Sequence, residues 1–162
     1  MKVLTMGTIK NKFTKILFIS LTFLWMLFIF IMSAQKASDS SQTSGFFVDL
    51  VNAVFGVEPM TEQYFILVNI VRKCAHMFEF AVLSCLLFIT LCHYNLKTFR
   101  RVLMSFVFTV LYAALDEIHQ FFVEGRACRF TDVCIDAVGS AIGICFLLLI
   151  YNCVCKIKEK KL

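Results

Sequence analysis

Four stretches of this chain are apolar enough and long enough to cross a bilayer, and that constrains the fold more than anything else in the sequence. They run over residues 16–34, 74–92, 102–122 and 133–155. Each has about 19–23 residues, which at ~1.5 Å of helical rise per residue spans roughly 30 Å of hydrocarbon. Lipid offers no partner to backbone N–H and C=O groups, so such stretches must satisfy their own hydrogen bonds and become helices. Composition agrees. The 162 residues are 60% hydrophobic, with a mean hydropathy of +0.82 and a single proline, Pro59. That is too apolar for a soluble domain of this size. The expected fold is all-α: one domain, a polytopic membrane bundle of four transmembrane helices.

The first stretch follows Lys2, Lys10, Lys12 and Lys15. It is longer than the apolar core of a secretory signal, about 7–15 residues, and no small-residue cleavage pattern follows it promptly. It reads as a retained helix. Residues 35–45 are a polar loop. Over residues 46–57, Phe47, Leu50, Val51, Val54 and Phe55 share one face at helical spacing, with Asp49 and Asn52 opposite. This predicts a short amphipathic helix between the first two spans, lying in the membrane interface or packed on the bundle. The second span is placed after Arg72 and Lys73, because either charge at the bilayer centre costs roughly 2.5–3.5 kcal/mol. Residues 64–71 then extend that helix or lie at the interface.

Orientation follows from the basic residues. Eleven of the sixteen fall on one side: the four N-terminal lysines, then Lys97, Arg100 and Arg101, then Lys156, Lys158, Lys160 and Lys161. Ten of the eleven acids fall on the other. This places both termini on the cytoplasmic side and the three polar clusters on the outer side. The net charge of +5 sits in short blocks beside apolar stretches, so no basic, aromatic-studded face is available to a nucleic acid. Of eight cysteines, all but Cys128 lie in or at the ends of apolar segments, where a thiol acts as a small apolar group. There is no C-x-x-C pair, and a Cys128–Cys134 bridge is the one disulfide the positions leave open.

Three polar clusters stand at the ends of three spans: Arg72-Lys73-Cys74-Ala75-His76-Met77-Phe78-Glu79, then Asp116-Glu117-Ile118-His119-Gln120, then Gly125-Arg126 running on to Asp132 and Asp136. By helical rise all three lie roughly 3–9 Å beneath the same, outer, face. Each helix groups them on one side. Arg72, His76 and Glu79 are three, four and seven apart. Asp116 is three from His119 and four from Gln120, with Glu117 flanking. Asp132, Asp136, Gly139, Ser140 and Gly143 form the third set. Such faces should turn into the bundle, since charge facing lipid is uncompensated. Gly139-x-x-x-Gly143 is a weak sign of close helix approach.

Two readings of the clusters compete. Arg72, Lys73, Arg126 and Arg129 can balance much of Glu79, Asp116, Glu117, Asp132 and Asp136, which makes a buried ion-pair network that pins helices together. Two imidazoles, five acids and a glutamine exceed what gluing requires. They equally suit proton transfer, with His76, Glu79, Asp116 and His119 as candidate acids and bases. Arg72, Lys73, Glu117, Gln120, Arg126, Asp132 and Asp136 would then be binding groups. No cofactor is called for. Neither H-x-x-E nor D-E-x-H is a closed zinc motif, so no metal is assigned. No serine stands in a nucleophile turn. His93 reads as an ordinary interfacial histidine.

Taken in order, Arg72-Lys73-x-x-His76-x-x-Glu79, Asp116-Glu117-x-His119-Gln120-x-Phe122, and Gly125-Arg126 with Asp132-Val133 and Asp136-x-x-Gly139 resemble the VanZ family of bacterial membrane proteins. Trp25 and Ser33-x-Gln35 resemble its first helix. Two departures stand out: Val123-Glu124 where a proline is expected before Gly125, and Asp136 in place of asparagine. The resemblance implies a small multi-helix membrane protein associated with resistance to the glycopeptide teicoplanin. Its expected partners are membrane lipids and a lipid-linked cell-wall precursor or a lipoglycopeptide. The expected action is to bind or alter such a ligand. An intramembrane enzyme on a phosphorylated or acylated lipid, and a structural partner of envelope proteins, are the alternatives.

Overall fold

The computed structural model describes residues 9, 11–35, 61–126 and 128–159, with side chains to residue 153. Four helices make up the described chain: α1 (Lys12–Ser33), α2 (Glu62–Leu91), α3 (Thr98–Phe121) and α4 (Phe130–Glu159). All four are long and apolar enough to cross a membrane. The amphipathic helix expected over residues 46–57 lies outside the described residues.

The ends are set by local chemistry. Asn11 caps α1 by accepting from Phe13 N at 2.9 Å. Thr61 caps α2 by accepting from Tyr64 N at 3.2 Å, with Glu62 in the positive first turn. Thus α2 begins well before Arg72, and residues 64–71 continue the helix. Its 30 residues give ~45 Å of rod, longer than a bilayer core is thick. After α3 the chain turns at Gly125, whose φ of 78° is one that side chains with a Cβ rarely adopt.

The packing inverts that of a soluble protein. Only 17–28% of each apolar span is buried, and Phe13, Phe23, Phe99 and Phe130 stand outward. Water would not tolerate that much exposed apolar surface, whereas hydrocarbon does. A small apolar core of Ile29, Phe80, Leu83 and Ala113 sits at mid-bundle. Small polar groups fill much of the remaining interior, including Ser84, Ser105, Thr109 and Ser140.

The broadest helix contact is α2 on α4, and Gly139 and Gly143 make it possible. A Cβ at Gly139 would overlap Met77 O and lie 2.8 Å from Met77 Cγ. At Gly143 it would overlap Ala81 O and lie 2.7 Å from Ser84 Oγ. The two backbones therefore touch, as at small-residue crossings generally. Ser84 Oγ donates to Ser140 O at 3.0 Å across this seam. Helix α1 is held by side chains reaching backbone carbonyls. Trp25 Nε1 donates to Glu79 O at 2.9 Å, and Tyr112 Oη donates to Met26 O at 2.7 Å.

Candidate functional site

At the end of the bundle formed by the last turns of α1 and α3 and the upper parts of α2 and α4, a polar cavity of about 110 Å³ opens. Its wall includes Arg72, Lys73 and His76 from α2, Glu117 and Gln120 from α3, Arg126 and Arg129 from the connecting turn, and Asp132 and Asp136 from α4. The three polar clusters, distant in sequence, do meet. Helical spacing explains it for α2 and α4, since Arg72 and His76, like Asp132 and Asp136, are four apart and share a face.

Within the wall some charges are paired. Lys73 Nζ lies 2.7 Å from Asp132 Oδ1, joining α2 to α4. Glu117 Oε2 accepts from the backbone N of Arg129 at 2.9 Å, fixing the turn that precedes α4. Asp116 stands behind the wall, 4% exposed, where Oδ2 accepts from Ser33 Oγ and from Gln120 Nε2, both at 2.8 Å. Gln120 in turn accepts from Arg126 Nη1 at 3.1 Å, and Arg126 Nε donates to Gln35 O at 3.0 Å. Ser33, Asp116, Gln120, Arg126 and Gln35 thus form one chain of hydrogen bonds that closes the end of α1 onto α3 and the turn.

Other charges are not spent. Arg72 makes one side-chain hydrogen bond, to Asn69 Oδ1 at 3.3 Å. Neither Arg72 nor Arg126 forms an ion pair among the described residues. Each guanidinium has five N–H donors, so most of the donors on these two have no acceptor among the described residues. The two are also close enough to repel. Burial first, then Arg72, pushes Arg126 below its ordinary value, while Asp116, Glu117 and Glu79 pull it back up. Five carboxyl groups cluster in turn: Asp116, Glu117, Asp132 and Glu79 all act on Asp136, itself 3% exposed.

Besides Asp116, two further sequence candidates stand apart from the cavity wall. Glu79 lies below His76, its Oε2 at 3.5 Å from His76 Nδ1 but outside hydrogen-bonding geometry. His119, like Asp116, turns towards α1, where Asp116 meets Ser33. Its ring stacks on Phe30 of α1, centroids 4.3 Å apart, although it still acts electrostatically on Asp116. A residue three from Asp116 lies ~60° off its direction, and here His119 meets α1 at Phe30 while Asp116 meets it at Ser33. Glu79 Oε2, Asp116 Oδ1 and His119 Nδ1 are buried with no hydrogen bond from any described residue.

Helical periodicity gives no site role to Ser33, the Gln35 carbonyl or the Arg129 backbone; the resemblance of Ser33-x-Gln35 to the family's first helix is the one signal that touches the first two. Among the described residues no three His, Cys, Asp or Glu side chains gather as metal ligands. Cys128 and Cys134 are free thiols.

No curated protein and no solved structure matches the chain. A family model described as VanZ/LLP1 matches residues 18–151, which takes in Trp25, Ser33, Gln35 and all three polar clusters. With four helices able to cross a membrane and that match over most of its length, the chain is a multi-pass membrane protein belonging to the VanZ/LLP1 family.

Proposed function

We propose that this protein binds the anionic headgroup of a lipid-linked or lipidated molecule at the polar cavity, and that it acts in resistance to glycopeptides such as teicoplanin. The observation that carries the reading is the pair Arg72 and Arg126. Two guanidiniums face one small cavity without an ion pair to either among the described residues. Holding like charges together in a half-buried site is unfavourable; Asp116, Glu117 and Glu79 offset it in part, and an anion shared between the guanidiniums would offset it further. Phosphate is the anion whose oxygens best match the guanidinium fork. Family membership supports the link to glycopeptide resistance. The bias of basic residues towards the opposite end of the bundle supports cytoplasmic termini and a cavity near the outer face. Lipid-linked wall precursors and the acyl chain of a lipoglycopeptide are both met there.

A second reading rests on His76 and Asp136, which line the same cavity. An imidazole and a buried carboxyl beside a bound phosphate or acyl group are the parts of an acid–base mechanism. In that case the protein alters the ligand as well as holding it.

The test uses Arg72→Gln and Glu79→Gln in a susceptible bacterial host, with teicoplanin susceptibility measured beside immunoblot abundance. Arg72 contributes one long hydrogen bond to the fold, so Arg72→Gln should leave abundance unchanged while resistance is lost. Unchanged resistance in both variants overturns the site. Loss of resistance in step with loss of protein assigns the cluster to helix pinning.

A further inference from the structure

A second concavity of different character runs from mid-bundle towards the opposite end. Between α1, α2 and α3 lies an apolar groove of about 570 Å³, walled by Met26, Leu83, Leu87, Phe108 and Leu111, with Tyr94 at its end. It exists because α1 and α3 barely touch, so they straddle α2 without closing over it. Its few polar atoms are already satisfied. Thr22 Oγ1 donates to Phe18 O at 2.7 Å and meets Thr90 Oγ1 at 3.2 Å. Nothing inside the groove asks for a polar partner.

The mouth does. Lys15 lies on the same face of α1 as the groove residues Ile19, Thr22 and Met26, at spacings of four, seven and eleven, one turn nearer the helix start. Its ammonium sits 4.1 Å from the centre of the Tyr94 ring. That contact uses the charge without using the N–H donors, and no described residue accepts a hydrogen bond from Lys15. Arg101, 1% exposed, braces the lip by donating to Tyr94 O at 3.2 Å. Every acid whose side chain is described stands toward the other end of the bundle, so no described carboxylate competes for this cation.

An apolar slot at hydrocarbon depth with a cation at its polar rim has the form of a lipid: chain below, phosphate above. We propose that the groove between α1, α2 and α3 is a binding site for one anionic phospholipid of the surrounding bilayer, its acyl chain against Leu87 and Leu111 and its phosphate on Lys15. The site is separate from the polar cavity and rests neither on the function proposed for it nor on which face is external. A bound chain would fill the gap that α1 and α3 leave, and so tie two helices that make few contacts of their own.

The experiment is native mass spectrometry of the purified full chain, released from micelles containing equal amounts of phosphatidylglycerol and phosphatidylcholine of the same chain length. The expected result is one lipid retained per chain, with phosphatidylglycerol favoured about fivefold, as one lysine near an anionic surface provides. Lys15→Ala should remove that preference while both lipids stay bound. Leu111→Trp, which fills the groove from its exposed side, should lose both. The proposal is overturned if no lipid is retained, if the two lipids bind equally, or if Lys15→Ala keeps the preference. A dimer that Leu111→Trp dissolves also overturns it, by placing a second copy in the groove. Lys15→Ala removes a half-buried side chain outside the core and decides the headgroup question even if Leu111→Trp fails to fold.

Discussion

Gly143→Ala is expected to destabilise the protein, against the ordinary preference of helices. In a helix interior Ala is favoured over Gly by about 1 kcal/mol, so a glycine with no packing role would be improved by this change. Here the added Cβ would overlap Ala81 O and stand 2.7 Å from Ser84 Oγ and 3.0 Å from Ala81 C. Two of those neighbours are backbone atoms and cannot rotate away. Relief requires α2 and α4 to part by about 1 Å, back to ordinary contact distances. That movement stretches the Ser84 to Ser140 bond, now 3.0 Å. Overpacking costs about 1–3 kcal/mol and an interhelical hydrogen bond in a membrane protein averages about 0.6 kcal/mol. Set against the propensity gain, the net loss is about 1–2 kcal/mol. The assay is reversible unfolding in mixed micelles with increasing sodium dodecyl sulfate. Trp25 fluorescence is the signal, because Trp25 is the one tryptophan and bridges α1 to α2. A variant as stable as the parent, or more so, would refute the close crossing.

Gly139→Ala should lose similar stability and also weaken ligand binding. It sits one turn below Asp136, and its clash is with Met77, the neighbour of His76; a binding constant unchanged beside a lowered unfolding midpoint would detach the seam from the cavity. A double-mutant cycle of Lys73→Ala and Asp132→Ala should give a coupling below about 1 kcal/mol, because both side chains are partly exposed, 36% and 24%; a much larger coupling would mean the pair is desolvated. Ser33→Ala should cost about 1–3 kcal/mol by removing a donor from the buried Asp116 carboxyl, read in the same unfolding assay. Reporter fusions at residue 97 and at the carboxyl end should read cytoplasmic, and one at residue 127 external. A cytoplasmic reading at residue 127 would move the cavity to the inner face.

Much of this architecture is legible without coordinates because lipid simplifies the physics. Where the solvent cannot hydrogen-bond, a run of about 20 apolar residues has one structure open to it, so span number and type follow from composition along the chain. The period of 3.6 then assigns faces. It correctly groups Asp136 with Gly139, Ser140 and Gly143 on the buried side of α4. Periodicity leaves open the choice among neighbours one or two places apart. His119 and Glu117 flank the same helix face. Packing against Phe30 takes His119 towards α1, and the Arg129 backbone takes Glu117 towards α4.

Tertiary structure alone decided the rest, and the reason is that burial of a charge depends on what surrounds it rather than on its own type. Arg101 belongs by sequence to a basic loop, yet it lies fully enclosed beneath Tyr94. Ser33 and Gln35 look like the frayed end of a span, yet they complete the chain of bonds that holds Asp116 and Arg126. The apolar groove has no sequence signature, because its walls are the same leucines and phenylalanines that face lipid elsewhere. Only the angle at which α1 and α3 straddle α2 makes them concave.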